Sequence, residues 1–411
     1  MKAFALIALA AAMSAAPAPA EPLWRLSLDG SGAKQGFVPV PAGQPYRAGG
    51  AGYEPGSRAD ALLLSAAVPE GLYRVTVTFG VGHTTVKAES RRLMLLDVTA
   101  RPGRSVTRSF LVAVRTPALT PPPLNAPGGD HVRLGAAEAK VPDWDDRLTL
   151  EFLGQPRVKT VTIEPATAPT LFLAGDSTVT DQPSEPAASW GQMLPALLDD
   201  KVAVANHAWS GETMKSFLSG LRLDKLLSQA KAGDWLLIQF GHNDQKAQWP
   251  QTYVDPVHTY PAYLKAYIAE AQRRGITPVL VTPPERRNFG ADGKLVGTLD
   301  EYVAAMRKVA AEEHVALVDL NAASRAIYEA LGPARSPLAF NDGGRDRTHN
   351  DNYGAWLLAN AVAEQLAKVD PSLAAHIAPG AVHFDPAKPP LPEQVRIPES
   401  VARSSARPAG N

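Results

Sequence analysis

Ser177, His349 and Asp346 have the types and surroundings that nucleophilic chemistry needs. Ser177 lies in Gly175-Asp176-Ser177-Thr178, a Gly-x-Ser turn that follows the apolar run Leu171-Phe172-Leu173-Ala174. A serine hydroxyl needs a base at neutral pH. His349, in Asp346-Arg347-Thr348-His349, supplies one. The spacing lets the Asp346 carboxylate reach back to the imidazole Nδ1, where it fixes the tautomer and stabilises the imidazolium. Gly211 allows a backbone N–H to approach closely, and Asn243 offers a side-chain amide; with the Ser177 N–H they fit an oxyanion hole. Each feature also has a plainer reading: a turn tripeptide, a surface histidine, a polar turn that satisfies its own backbone. Their order along the chain favours the chemical one. Serine follows the first apolar run, glycine the second and asparagine the third, and Asp-x-x-His precedes the last helical stretch.

These residues must be held by an alternating set of strands and helices. From about residue 165, near-continuous apolar runs (171–174, 202–205, 235–240, 278–281 and 315–318) alternate with amphipathic stretches. Runs of that kind are strands buried on both faces of a parallel sheet. Tyr263, Leu264, Tyr267, Ile268 and Ala271 share one helical face, as do Tyr302, Val303, Met306 and Val309. Successive βα units predict a doubly wound α/β domain, closed by a helix over about 353–368, with its ligand beyond the carboxyl ends of the strands. The polar loops 175–178, 206–211, 241–244 and 284–287 all fall at that edge. Upstream, 72–79, 92–98, 109–114, 147–152 and 158–163 read as short strands divided by Gly and Pro clusters, which predicts a β-sandwich.

The expected division is a secretory signal at 1–20, with small residues at Ala18-Pro19-Ala20, then a β-sandwich over 21–165. An α/β domain over 166–378 and a Pro-rich, flexible tail over 379–411 complete it. The apolar part of the leader is shorter than a spanning helix needs, so the chain is expected to be exported, to the periplasm or beyond the cell, with no membrane span. The chain has 41 Lys+Arg against 41 Asp+Glu, which argues against a protein held by nucleic-acid phosphates. Among its 411 residues there is no cysteine, which excludes disulfides, zinc–thiolate sites and a cysteine nucleophile.

The segment Leu171 to Gln182 resembles the first block of the SGNH (GDSL-type) hydrolases. Gly211 matches the second block, Gly241-His242-Asn243-Asp244 the third and Asp346-x-x-His349 the fifth. Ser189-Trp190-Gly191-Gln192, Gln239-Phe240-Gly241-His242 and Pro278 to Pro283, followed by Arg286-Arg287-Asn288-Phe289, are similar to the rhamnogalacturonan acetylesterase branch. The resemblance spans about 168–370 and implies a flavodoxin-like three-layer α/β/α fold and a serine esterase needing no metal or cofactor. It implies Ser177 as nucleophile, His349 as base, Asp346 as its orienter, and Ser177, Gly211 and Asn243 as oxyanion donors. The front sandwich resembles the galactose-binding-like domain found ahead of some bacterial members. Two departures stand out: Asn350 replaces the aromatic expected after the histidine, and Ala208-Trp209 is a bulkier pair than expected.

The reading that results is an exported carbohydrate O-acetylesterase acting on acetylated plant cell-wall polysaccharide, foremost rhamnogalacturonan. Trp209, Arg286 and Arg287 are candidate sugar contacts, since an arginine would bind a uronate carboxylate. The alternatives are another SGNH activity (xylan or peptidoglycan deacetylation, a lipase or a thioesterase) and an inactive sugar-binding protein. A two-metal phosphatase would draw on Asp176, His242, Asp244 and His349, but lacks the usual Asp-x-His and Gly-Asn-His turns.

Overall fold

Alternation decides the front of the chain. In Gly71–Phe79 every second side chain from Tyr73 onward is buried, while the β-branched threonines between them face outward. The computed structural model describes residues 21–31, 35–125 and 128–409; the expected signal segment, 1–20, lies outside them. Within them the front strands are β1 (Trp24–Ser27), β2 (Val38–Pro39), β3 (Ala51–Tyr53), β4 (Ala61–Ala67), β5 (Gly71–Phe79), β6 (Gly82–Ala88), β7 (Arg92–Ala100), β8 (Val106–Val114), β9 (Arg147–Gly154) and β10 (Val158–Pro165). They form two five-stranded sheets, ordered β2-β1-β10-β5-β8 and β3-β4-β9-β6-β7. One apolar cluster lies between the sheets, fed by Tyr73, Val75, Val77 and Val161 from the first and Leu148, Leu150, Phe152 and Val86 from the second.

The second half is a parallel sheet of β11 (Thr170–Gly175), β12 (Ala203–Asn206), β13 (Trp235–Gln239), β14 (Thr277–Val281) and β15 (Ala316–Val318). Its order is β12-β11-β13-β14-β15, the flavodoxin-type doubly wound arrangement. The strands read as unbroken apolar runs because both faces are covered. Leu171, Leu173 and Leu237 pack on one side with α1 (Trp190–Met193), whereas Phe172, Ala174, Leu236 and Ile238 pack on the other with α2 (Met214–Ser219) and α3 (Arg222–Gln229). Helices α4 (Thr259–Gln272) and α5 (Asp300–Glu312) join the second side; α6 (Leu320–Arg335) and α7 (Asn352–Val369) join the first.

Buried ion pairs join the two halves. The tight turn between β6 and β7, where Glu89 and Arg91 have positive φ, reaches the loop after β11. There Arg92 meets Asp181 at 2.7 Å, Lys87 meets Glu185 at 3.2 Å and Arg91 meets Glu185 at 2.5 Å. Glu185 also accepts from Asn352 Nδ2 and from the Ser400 N–H, at 3.1 and 2.9 Å.

The segment after 378 is not the flexible tail its composition predicts. Leu391, Val395 and Ile397 pack on the core beside α7, and the Tyr353 hydroxyl donates to Pro390 O at 2.7 Å. Further on, Val401 N donates to Glu151 Oε1, Ser404 N to Glu185 O, and Glu185 N to Ala402 O, at 2.9, 3.0 and 2.8 Å. Spaced apolar residues anchor a chain that the prolines keep extended, and fixed partners meet its backbone groups; composition alone hides both.

Candidate active site

Ser177 sits where β11 ends. The Asp176 carboxylate accepts from the Thr178 N–H and hydroxyl at 2.9 and 2.8 Å, and Asp176 O accepts from Val179 N and Thr180 N, so the turn is closed around its own aspartate. Gln239, at the end of β13, donates to Thr178 Oγ1 at 2.7 Å and accepts from the Trp190 indole at 2.7 Å. Gln182 donates to Ser177 O at 2.7 Å.

His349 and Asp346 come from the loop before α7. His349 Nε2 lies 2.8 Å from Ser177 Oγ, and Nδ1 lies 2.8 Å from Asp346 Oδ2. Asp346 Oδ1 accepts from the Thr348 and His349 N–H groups at 2.8 and 3.1 Å. Burial raises the Asp346 pKa, but the bond and charge of His349 and the two backbone donors outweigh it, bringing the carboxyl down to about 2. All three residues are buried. Asn350 is buried too, donating to Ala339 O at 2.9 Å while its carbonyl accepts from Ala188 N at 2.9 Å. The residue that departs from the family pattern therefore clamps the loop carrying His349.

Gly211, at φ +89°, lies in the turn after β12. Asn243 Nδ2 donates to Glu212 O at 3.1 Å, which sets this amide against the Gly211 turn. Among the described residues the N–H groups of Ser177 and Gly211 donate to nothing. Sequence reasoning missed Lys246, whose ammonium donates to Asn243 Oδ1 at 3.0 Å and lies 4.7 Å from the Trp249 ring centre. A lysine three residues after the asparagine was the available signal.

The candidate sugar contacts separate. Trp209 is half-buried beside Gly211. Arg286 donates to Thr298 Oγ1 at 3.1 Å and His242 O at 3.3 Å; burial lowers its pKa, partly offset by Glu285, Asp176 and Asp346, which puts the cation in the field of the site. Arg287 instead donates to Gly344 O and lies over the Phe340 ring, so it braces the histidine loop. The Asp244 carboxylate accepts from the Met214 and Gly241 N–H groups at 3.0 and 2.9 Å, and burial pushes its pKa up to about 7. His242 Nδ1 stands 3.5 Å from Asp176 Oδ2. Among the described residues no group of three or more His, Asp or Glu side chains is arranged to hold a metal ion.

Residues 173–357 match the GDSL-like lipase/acylhydrolase family model. The chain is 38% identical over 220 residues to rhamnogalacturonan acetylesterase RhgT of Bacillus subtilis, covering 50% of this chain and 93% of that one. It is 38% identical over 197 residues to the probable rhamnogalacturonan acetylesterase YesY of the same organism, 47% and 90% of the two chains. A third relative, the B. subtilis esterase YxiM, is 28% identical over 305 residues, or 73% of this chain and 72% of that one. The chain belongs to the GDSL-like lipase/acylhydrolase family, with rhamnogalacturonan acetylesterase-like sequence, and is a carboxylic ester hydrolase. No helix among the described residues is long and apolar enough to cross a membrane.

Proposed function

We propose that this protein is an exported carbohydrate O-acetylesterase that removes acetyl groups from plant cell-wall polysaccharide, foremost rhamnogalacturonan. The relay from Ser177 Oγ through His349 to Asp346, at 2.8 Å per step, carries the reading. Ser177 Oγ attacks the acetyl carbonyl while His349 Nε2 takes its proton. Asp346 stays ionised and balances the imidazolium. The carbonyl oxygen becomes an oxyanion held by the Ser177 and Gly211 N–H groups and the Asn243 amide. His349 returns the proton to the departing sugar oxygen, leaving an acetyl-enzyme. It then deprotonates a water that attacks the acetyl carbon, and acetate leaves as Ser177 recovers its proton. The similarity to RhgT and YesY supports the pectin substrate, and the Arg286 cation beside the site suits a uronate-bearing chain. The front unit, 21–165, is on this reading a galactose-binding-like β-sandwich, and 166–378 is the catalytic domain.

The test is acetate release from acetylated rhamnogalacturonan by residues 21–411, with Ser177→Ala alongside. Release by the native protein alone is expected; equal release by the variant rejects the serine mechanism. Faster cleavage of p-nitrophenyl octanoate than of the acetate ester would redirect the substrate to lipid.

A further inference from the structure

A cavity of about 340 Å³ lies on the seam between the front sheets and the parallel sheet, away from Ser177. Leu72, Ala113 and Val114 line it from one half, and Phe172, Ala205 and His207 from the other. Exposed Thr167 and Lys231 mark where it meets solvent. Glu70, Thr170 and Gln229 line it too, so its walls mix apolar and polar groups, and two of the polar side chains are unusual.

Arg115 is 5% exposed, and among the described residues it makes no hydrogen bond and no ion pair. Its guanidinium rests on the Trp144 ring, 4.3 Å from the centre. Arginine does not shed its proton in proteins, and a buried cation without an anion is costly. The nearby acids are otherwise occupied. Glu70 accepts from Lys225 at 2.7 Å, Thr116 N at 2.8 Å and Gln229 at 2.9 Å; Asp143, Asp181 and Glu138, whose charges reach Arg115, accept from Ser90 N, Arg92 and Arg222. His207, 1% exposed, sits between Phe172 and Trp144 with neither ring nitrogen partnered. Burial first, then the Arg115, Lys225, Arg92 and Arg222 charges, hold its pKa well below the usual value. It is a neutral ring, and neither of its nitrogens has surface open to the cavity.

We propose that this cavity is a binding site for a small aliphatic monocarboxylate, whose head group pairs with Arg115 and whose chain lies along Leu72, Ala113 and Val114. A planar carboxylate suits the guanidinium fork, and among the described residues lining the cavity Arg115 is the cation without an ion pair. The apolar stretch at Leu72, Ala113 and Val114 favours a hydrocarbon tail over an inorganic anion. The site is independent of the esterase assignment, although an esterase that releases acetate would itself produce one member of the ligand class.

The test is calorimetric titration of the mature chain with acetate, butyrate, hexanoate and inorganic phosphate, repeated with Ala113→Leu and Arg115→Gln. Ala113→Leu fills the cavity and leaves every polar group in place. Saturable binding of a carboxylate is expected, weakened about tenfold or more by either variant. Ala113→Leu should keep wild-type hydrolysis of p-nitrophenyl acetate, which separates this site from Ser177. If Arg115→Gln does not fold, Ala113→Leu decides alone. Absence of binding, a water-filled cavity only, would overturn the proposal. So would equal affinity in Ala113→Leu, or phosphate binding as tightly as the carboxylates.

Discussion

The two oxygens of Asp346 do different work. Oδ1 shapes the loop through two backbone N–H groups, while Oδ2 holds the histidine ring. Asp346→Asn keeps the size but can present an N–H to His349 Nδ1 and so favour the wrong tautomer. Turnover is expected to fall by about 10³–10⁴-fold with the fold retained, read from steady-state kinetics beside circular dichroism. The same carboxylate makes an acid-stability prediction. Its folded pKa of about 2 lies below the unfolded value near 3.8, so its stabilisation, about 2 kcal/mol, is fully present above pH ~4 and is lost as pH falls toward 2. Urea titrations from pH 6 to 2 should show that loss in the wild type and a flatter acid arm in Asp346→Asn. Parallel acid arms would assign the acid sensitivity to other groups.

At the scale of elements, the Ser177 turn depends on how closely β11 approaches its neighbours. A Cβ at Gly175 would stand 2.5 Å from Val179 Cγ2 and 2.8 Å from Gln239 O. Gly175→Ala is expected to cost about 1–3 kcal/mol and to depress turnover as well, because Val179 lies in the turn that carries Ser177. Thermal melts and p-nitrophenyl acetate assays check both, and a variant that melts with the wild type contradicts the close packing. The elements around this turn were legible because their side chains are uniform: Leu171 to Ala174 and Trp235 to Ile238 are apolar on both faces. The long alternating strand β5 was equally plain. Strand β4, with Ala-Leu-Leu-Leu-Ser-Ala-Ala, lacks alternation, and β6, with Gly-His-Thr-Thr-Val-Lys-Ala, is too polar, so neither stood out. The spacing Asp346-x-x-His349 was readable, since both residues lie within one loop. The Lys246 bond and the Arg287 bracing were not, since each depends on where a long side chain turns after folding.

For the whole molecule, the seam between the sheets decides stability. Arg92 donates to Asp181 Oδ2 from Nε at 2.8 Å, and both residues are buried. Arg92→Ala leaves Asp181 with Asn206 but no cation, and is expected to cost about 3–5 kcal/mol, part of which Asp181→Asn should restore. Urea denaturation of the two single variants and the double variant measures it; additive losses would mean the pair is not coupled. Ending the chain at residue 389 removes Leu391, Val395 and Ile397 from the core and the backbone partners of Glu185 and Glu151. The expected result is a lower melting temperature and faster proteolysis near α7. A truncated chain as resistant as the full one would show that the strap is dispensable.

Glu185 has a consequence for the order of events during synthesis. Its carboxylate gathers Lys87, Arg91, Asn352 and the Ser400 N–H, groups that leave the ribosome far apart in time. Until the last of them emerges, the nascent chain holds an acid whose burial is incomplete, and its two halves are free to part. Closure of the seam is thus expected only after residue 400 has emerged, which stalled chains of graded length, probed by limited proteolysis, would time. Protection gained before residue 400 is available would mean that the seam closes without the strap.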